Sequence, residues 1–461
     1  MKKDIKEAFS DIWEKTKKTA EGAWGKIKDL SSKAFEMTKK GAKVALDWSK
    51  KMIGKIEEKV KTTLPGVDFK IKKAVLISLG AIIGLAIIYS ITVNAYASDT
   101  HVFNGDKCEN CGISSSIVYK FTYISESDSY SIAGKNIWNK KYDELILPAT
   151  YKGKPVTEIG ENAFNTTKTL TSVTIPEGVK IIGDSAFAYC SLLSEITIPD
   201  SVTEIRSGAF YECSGMKSLT LGSGLELVDE MAFVSCNLDT ITGGSERYYV
   251  SGSCLIDSES STVVVGSNGS VIPDGITAIG KYAFYGRKGL TQVILPESVT
   301  MIHPMAFYNC ARLETATLGN ATEIGYKAFY KCENLKEINI PETVTVIHPE
   351  AFHSCVSLTK IVIPDSVVTI GDSAFSNCGS VTEIVIGSGV KKIGAKAFLL
   401  AHGLASVQFK VTEGWWVTKD ATATSGENVD PVELADPVKA ADLMYNSYGY
   451  HIWNRDTACY P

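Results

Sequence analysis

The chain has few of the side chains that most enzymes place at their active sites. Only six histidines occur in 461 residues, and none stands near an acid and a serine or cysteine in a setting that would activate a nucleophile. His303 and His348 each precede a proline inside a repeated segment, so they are variants of the repeat. A glycine-rich phosphate loop is also absent from the sequence. These absences predict a protein that is not an enzyme.

Positive charge is scarce in the larger part of the chain. Residues 73–461 contain 28 basic and 41 acidic side chains, whereas residues 1–72 contain 19 lysines and 11 acidic side chains. The acidic part has no basic stripe, which disfavours binding to nucleic acid. The sequence therefore divides into a basic N-terminal arm and a longer acidic part.

Charge is missing altogether from residues 74–93, which read AVLISLGAIIGLAIIYSITV. Twenty apolar residues suffice for a helix to cross a bilayer core of about 30 Å. Lysines before this segment predict a cytoplasmic N-terminus and place residues 98–461 outside the cell. A second interpretation is a cleaved signal, because Ala95-Tyr96-Ala97 resembles a signal-peptidase site and would release the protein after Ala97. The G-x-x-x-G formed by Gly80 and Gly84 leaves the oligomeric state open.

The basic arm, residues 1–64, repeats every 11 residues. Such a period corresponds to about 3.67 residues per turn, which keeps an apolar stripe nearly straight along a helix. We expect a basic amphipathic helix that lies on the anionic inner leaflet, or that packs in a right-handed coil with itself or a partner. The side chains expected at the membrane surface are Lys6, Lys17, Lys28, Lys39, Lys50, Lys61, Trp13 and Trp24.

The acidic part is rich in repetition. Between residues 140 and 410 the pair Ala-Phe occurs ten times, mostly 23 residues apart, with one interval of 22 and one of 51. A fixed period of this size indicates a solenoid, in which each repeat buries its apolar face against the next. Seven pairs are followed by a cysteine three residues after the phenylalanine. The phenylalanines are Phe164, Phe187, Phe210, Phe233, Phe284, Phe307, Phe329, Phe352, Phe375 and Phe398.

Each repeat also carries a strand signal and a turn signal. Leu358, Ile361 and Ile363 are followed by Pro364, which ends the strand, and Ile370-Gly371 marks the turn. Together with Ala-Phe-x-x-Cys, this pattern closely resembles the leucine-rich repeats of the BspA-like or treponemal class over about residues 140–410. The resemblance implies a curved, β-rich leucine-rich-repeat solenoid of about ten rungs with its strands on the concave face. It also implies a cell-surface recognition or adhesion protein.

The sequence predicts five segments and one insertion. The 51-residue interval is expected to hold an inserted hairpin at about 248–275, which either forms a lip of a binding site or serves as a spacer. In the last segment, Trp415-Trp416-Val417 is expected to form a strand and Asp436-Pro437 to start a helix. The segments are the arm (1–64), a transmembrane helix (74–93), an N-terminal cap with a C-x-x-C (98–155), the leucine-rich repeats (156–410) and a C-terminal cap (411–461).

The expected ligand surface is the concave strip of strand residues, with a protein or glycan as the partner. Threonine is abundant there, although threonine is also a good strand former. The candidate ligand-binding residues are Thr174, Glu195, Thr197, Thr220, Thr317, Lys336, Glu337, Asn339, Lys360 and Glu383. Trp415, Trp416, Tyr448, Tyr450 and Trp453 form either a carbohydrate-stacking patch or the core of the C-terminal cap.

Cysteines occur in two settings. The seven repeat cysteines are expected to form one interior column of free thiols, because parallel Cβ vectors in stacked rungs oppose disulfide formation. Cys108 and Cys111, with His101, form a C-x-x-C that fits a local disulfide, half of a zinc site or a redox pair; a closed zinc site needs four ligands. Two alternative functions remain. One is an envelope scaffold, in which the cytoplasmic arm is the active part, and the other is a redox enzyme that uses the C-x-x-C. No cofactor is expected, apart from zinc at this pair.

Overall fold

The computed structural model describes residues 103–104, 107–108, 119–135 and 144–455. The predicted arm, the transmembrane segment and the cleavage site at Ala97 lie outside these residues and stay predictions. Within the described ranges no helix is both long and apolar enough to cross a membrane. The chain divides into two units, Met1–Asp99 and Thr100–Pro461, and every described residue belongs to the second.

The regular structure of the described residues is almost entirely β-strand, and turns connect the strands. Two short α-helices, α1 (Pro431–Leu434) and α2 (Pro437–Asp442), and a π-helical turn (Leu443–Ser447) lie near the C-terminus. In chain order the strands are β1 (Phe103–Asn104), β2 (Lys107–Cys108), β3 (Tyr119–Ile124), β4 (Ser129–Lys135), β5 (Glu144–Ile146), β6 (Thr150–Tyr151), β7 (Lys154–Ile159), β8 (Ser172–Thr174), β9 (Ile181–Ile182), β10 (Glu195–Thr197), β11 (Glu204–Ile205), β12 (Ser218–Leu221), β13 (Leu227–Val228), β14 (Thr240–Gly243), β15 (Tyr248–Ser251), β16 (Cys254–Asp257), β17 (Thr262–Gly266), β18 (Ala278–Ile279), β19 (Gln292–Leu295), β20 (Met301–Ile302), β21 (Thr315–Leu318), β22 (Glu323–Ile324), β23 (Glu337–Asn339), β24 (Val346–Ile347), β25 (Lys360–Val362), β26 (Thr369–Ile370), β27 (Glu383–Ile386), β28 (Lys392–Ile393), β29 (Ser406–Phe409), β30 (Trp415–Thr418), β31 (Glu427–Asn428) and β32 (Ile452–Arg455).

The repeats wind into two parallel ladders. The longer strands pair in the order β5-β8, β10-β12-β14, β19-β21-β23 and β25-β27-β29, and they form what we call the strand face. A second ladder, made mostly of two-residue strands, has the order β7-β9-β11-β13 and then β17-β18-β20-β22-β24-β26-β28. Pairing joins equivalent repeat positions, such as Glu195 with Ser218. The predicted solenoid is therefore confirmed.

The solenoid has about 12 turns of roughly 23 residues, rather than the ten rungs counted in the sequence. The difference arises because two turns lack the Ala-Phe pair on which the sequence count depends. One is the turn that contains β14 and β17, and the other is the last turn, which begins with β29.

The Ala-Phe segments form a third line of contacts between turns. Adjacent phenylalanine rings stack at centroid distances of 5.0 to 5.6 Å within each half of the solenoid. The N–H of Phe187 donates to the carbonyl of Ala209 in the next turn at 2.8 Å. Each fully buried phenylalanine contributes about 1.5–3 kcal/mol of apolar transfer free energy. The motif that marks the repeat is thus the interior of the solenoid.

The predicted insertion region interrupts this stacking. β16 pairs antiparallel with β15 on one side and with β17 on the other. β17 also pairs with β18 and so joins the parallel ladder. The phenylalanine stack ends at Phe233 and resumes at Phe284. A single hydrophobic cluster extends from Cys254 to Trp453 on the C-terminal side of this break.

Arg287 fills the break. It occupies the position of the repeat cysteine after Phe284, and only 1% of its surface is exposed. Its Nε donates to the carbonyl of Gly266, and its Nη1 donates to the carbonyls of Cys236 and Phe233. A long side chain with several donors therefore reaches across the turn that lacks an Ala-Phe loop.

The C-terminal end closes the last turn. The predicted strand and helix are confirmed as β30 and α2, and the Asp436 carboxylate accepts hydrogen bonds from the N–H groups of Val438 and Lys439. β32 pairs with both β28 and β30. Trp415 and Trp453 are each 2% exposed, so these rings form the core of this end and are closed to a carbohydrate ligand.

Candidate binding surface

The strand face places every predicted ligand-binding residue in contact with solvent. Along each long strand the central apolar residue is buried, as at Ile196 and Ile361, and its neighbours point outward. Residues with their side chains exposed are Thr174, Glu195, Thr197, Thr317, Lys336, Glu337, Asn339 and Lys360, and those half-buried are Thr220 and Glu383. The ladder thus brings residues far apart in sequence onto one surface.

Hydroxyl groups line one column of this surface. Thr197, Thr220 and Thr242 are partners in register across β10, β12 and β14. The Oγ1 atoms of Thr220 and Thr242 lie 3.3 Å apart. A hydroxyl both donates and accepts hydrogen bonds, so this column offers a repeated and uncharged set of contacts.

Charged residues of the strand face pair with one another. Lys336 donates to Glu314 at 2.7 Å, and Lys360 lies 2.8 Å from Glu383. The ammonium of Lys336 lowers the pKa of the Glu314 carboxyl through their hydrogen bond. Exposed pairs of this kind contribute about 0–1 kcal/mol to stability, so a ligand can compete for either partner at little cost.

Two exposed apolar side chains of the strand face, Ile294 and Val362, were not among the predicted site residues. Ile294 is 59% exposed and stands opposite Thr317 in the ladder. Val362 is 43% exposed and stands opposite Val385. Each precedes a buried apolar residue, so the alternation of outward and inward positions in the sequence would have revealed both. They add apolar contacts to the hydroxyl and charged groups of this surface.

The repeat cysteines lie in the interior, away from this surface. The eight cysteines whose side chains are described are free and buried, so the prediction of free thiols is confirmed for the repeats. Each repeat thiol donates to the carbonyl of the phenylalanine one turn earlier, as Cys355 does to Phe329 at 3.2 Å. Burial raises the pKa of Cys310 and Cys378 to about 12. Protonated thiols without access to solvent are poor nucleophiles and poor metal ligands.

The predicted metal residues fall mostly beyond what the structure describes. His101 and Cys111 lie outside the described residues, and Cys108 is placed only by its backbone, at the end of β2. Among the residues that are described, no group of three His, Cys, Asp or Glu side chains is arranged to hold a metal ion. Zinc at the C-x-x-C remains a prediction.

The repeats match a known family along most of their length. The description "BspA type Leucine rich repeat region" fits six copies over residues 135–262, 267–379 and 322–413, which together exceed half of the chain. This chain belongs to the BspA-type leucine-rich repeat family. Membership indicates a cell-surface location and a protein-binding role, and such surface repeat proteins are typically non-enzymatic.

Solved structures of bacterial leucine-rich repeat proteins are similar to this chain. A leucine-rich cell surface protein from Faecalibacterium prausnitzii is 26% identical with a TM-score of 0.39, covering 58% of this chain and 92% of that chain. The T. pallidum leucine-rich repeat protein is 24% identical with a TM-score of 0.29, covering 53% and 90%. The pneumococcal vaccine antigen PcpA is 18% identical with a TM-score of 0.47, covering 68% and 90%. These similarities do not identify a ligand. No curated protein matches the chain.

Proposed function

We propose that this protein recognises a protein or glycan partner outside the cell through the strand face of its BspA-type repeats. The observation that supports this proposal is the in-register strip of outward residues, with Thr197, Thr220 and Asn339 presenting hydrogen-bonding groups to solvent. Pairs such as Lys360–Glu383 add charges that a ligand can recruit. Adhesion to a host, another microbe or a matrix component is the corresponding biological role.

The proposal includes a membrane topology derived from the sequence. Residues 74–93 would anchor the chain, the basic arm would lie on the inner leaflet through its lysines, Trp13 and Trp24, and residues 98–461 would project outward. Release after Ala97 would leave the same repeats outside the cell. Protease shaving of intact cells, with mass spectrometry of the surviving N-terminus, distinguishes an anchored chain from a released one.

The strand face is tested by steric substitution. Thr197→Arg and Asn339→Arg each put a long side chain on an exposed strand-face position, and Thr345→Arg puts the same side chain on an exposed threonine beside the second ladder. We expect the first two variants to lose binding on a panel of matrix proteins, host-surface glycans and bacterial cells, while Thr345→Arg binds normally. Equal binding by all three variants would rule out the strand face.

The envelope-scaffold alternative makes a different prediction. If the repeats bind nothing on the panel, and deletion of residues 1–64 still alters the cell envelope, the cytoplasmic arm is the active part. For the C-x-x-C, a zinc assay on the purified protein and on its Cys108→Ser variant decides between a metal site and a thiol or disulfide pair. Unchanged ligand binding by Cys108→Ser would show that the C-x-x-C takes no part in the ligand-binding function.

A further inference from the structure

A second repeated surface lies on the loop side of the solenoid, directly after the interior phenylalanines. In four successive turns the residue that follows the phenylalanine is aromatic and partly exposed. Tyr285, Tyr308, Tyr330 and His353 stack with centroid distances of 4.4, 4.8 and 4.8 Å and interplanar angles of 8°, 7° and 14°. All four side chains are half-buried. We call these four residues the tyrosine strip.

Further tyrosines extend this surface toward the N-terminus. Tyr282 lies 5.9 Å from Tyr285, and Tyr189, which is 45% exposed, packs edge-on against Tyr211. The two groups adjoin because the inserted turn has no Ala-Phe loop to separate them. At this junction Gly286 approaches Ser235 so closely that an added Cβ would lie 3.1 Å from the Cα of Ser235.

The lysines nearest the strip are engaged by carboxylates or by tyrosine rings. Lys281 forms an ion pair with Glu230, and Lys327 lies 3.4 Å from Glu350. Lys327 and Lys331 also stand over the ring of Tyr330, at 5.3 and 5.7 Å from its centroid. The strip therefore presents ring edges and phenolic hydroxyls, and two of its three nearest lysines are neutralised by carboxylates, which favours an uncharged ligand over a polyanion.

Stability alone does not account for tyrosine at these positions. Stacking contributes about 0.5–1.5 kcal/mol per pair and requires only the rings, which phenylalanine would supply equally. The next turn carries buried Ser376 in the same column, so the fold accepts a small residue there. Tyrosine adds a hydroxyl in three of the four turns and holds it on a ring that stacking has already immobilised. A ligand that binds this hydroxyl therefore loses little conformational entropy.

We propose that the tyrosine strip binds a neutral linear polysaccharide lying along the solenoid axis. A stacked ring recurs in four successive turns and a phenolic hydroxyl in three of them, so a ligand that itself repeats along one direction can occupy all of these positions. Phenolic hydroxyls donate and accept hydrogen bonds, which matches the hydroxyl groups of a sugar chain. Contacts added turn by turn act multivalently, so affinity should rise with chain length. This site is separate from the strand face and does not depend on it.

The test uses the full-length protein immobilised on a biosensor. The probes are size-graded fractions of laminarin, hydroxyethyl cellulose and linear mannan, with heparin as the charged comparison and polyproline as a repeating peptide. The variants are the pair Tyr308→Phe with Tyr330→Phe, which keeps the stack, and the pair Tyr308→Ser with Tyr330→Ser, which removes it. Thr197→Arg serves as the strand-face control.

We expect at least one neutral polysaccharide to bind, more tightly as its length increases and equally at low and high salt. Loss of two hydroxyl hydrogen bonds in the phenylalanine pair should weaken binding about tenfold with an unchanged melting temperature. Thr197→Arg should bind these probes normally. Binding to heparin or polyproline only, no binding to any probe, or full binding by both double variants would overturn the proposal. If only Thr197→Arg lost polysaccharide binding, the glycan-binding site would lie on the strand face and not on the tyrosine strip.

Discussion

The thiol of Cys355 donates a hydrogen bond to the carbonyl oxygen of Phe329, which lies in the preceding turn, at 3.2 Å. The same contact recurs at every repeat cysteine, for example from Cys213 to Phe187 at 3.1 Å. Each thiol therefore fills interior space and also ties one turn to the next. Because the donor is the protonated form, deprotonation removes the contact and leaves a charge in the core.

This arrangement predicts a loss of stability at alkaline pH. The pKa of Cys378 is raised to about 12 in the folded protein by burial, above about 8.5 for an unfolded cysteine. The contribution of this thiol is therefore complete below about pH 8.5 and is lost as the pH rises toward 12. In urea unfolding between pH 9 and 11, the free energy of unfolding should fall less steeply with pH for Cys378→Ala than for the wild type. The two slopes should differ by up to about 1.4 kcal/mol per pH unit. Identical pH slopes would contradict the prediction.

Arg287 should be the most costly polar side chain to remove. Arg287→Met leaves the carbonyls of Gly266 and Cys236 without their donor in a buried site, and we expect the free energy of unfolding to fall by about 3 kcal/mol or more. Arg287→Cys restores the repeat pattern but should not rescue stability, because a thiol is too short to cross the missing loop. Lys288→Met, at the exposed neighbouring position, is the control in urea unfolding. Wild-type stability of Arg287→Cys would show that the arginine does not bridge the break.

Two glycines offer a matched pair of substitutions. A Cβ at Gly266 would lie 2.0 Å from the ring of Phe284, so Gly266→Ala must displace a core ring and should cost about 1–3 kcal/mol. At Gly379 an added Cβ meets no atom within 4 Å. Gly379→Ala should be neutral, or should stabilise by about 0.4–1 kcal/mol through the unfolded state. Thermal melts of both variants check the contrast, and equal melting temperatures would contradict it.

The C-terminal helix depends on one capping residue. Asp436→Ala removes the acceptor for the N–H groups of Val438 and Lys439 at the start of α2, and the expected loss is about 0.5–2 kcal/mol. Val438→Ala, at a position that is 67% exposed, should change stability far less. Hydrogen exchange at residues 437–447 should rise in the first variant only. Unchanged exchange there would mean that the helix is fixed by packing alone.

Much of the repeat architecture followed from sequence. The 23-residue period, the strand ending at Pro364 and the Ala-Phe-x-x-Cys segment predicted a solenoid with a thiol column, because stacking identical repeats places equivalent residues above one another. The strand-face residues were also predictable, since alternation along a strand separates Thr197 from buried Ile196. The turn count was too low because two turns lack the Ala-Phe signal.

The 51-residue interval predicted an insertion, but the contacts that bridge it were not predictable from the period. In the sequence Arg287 simply stands where other repeats have a cysteine, and Gly266 is one glycine among many at the end of a predicted strand. Only the fold brings Arg287 to the carbonyls of Phe233 and Cys236, more than 50 residues away, and only the fold places Gly266 against Phe284. These contacts depend on how turns stack across an irregular segment, which a local pattern does not specify.

The sequence by itself determined which residues face inward, because a repeat of 23 residues with fixed apolar positions can bury them only by stacking. Tertiary structure decided which outward residues of different turns become neighbours. Tyr285, Tyr308 and Tyr330 follow three interior phenylalanines in the sequence, yet their rings form one stack only because the loops align turn upon turn. The physical reason is that burial follows from local periodicity, whereas a surface is made by contacts between turns.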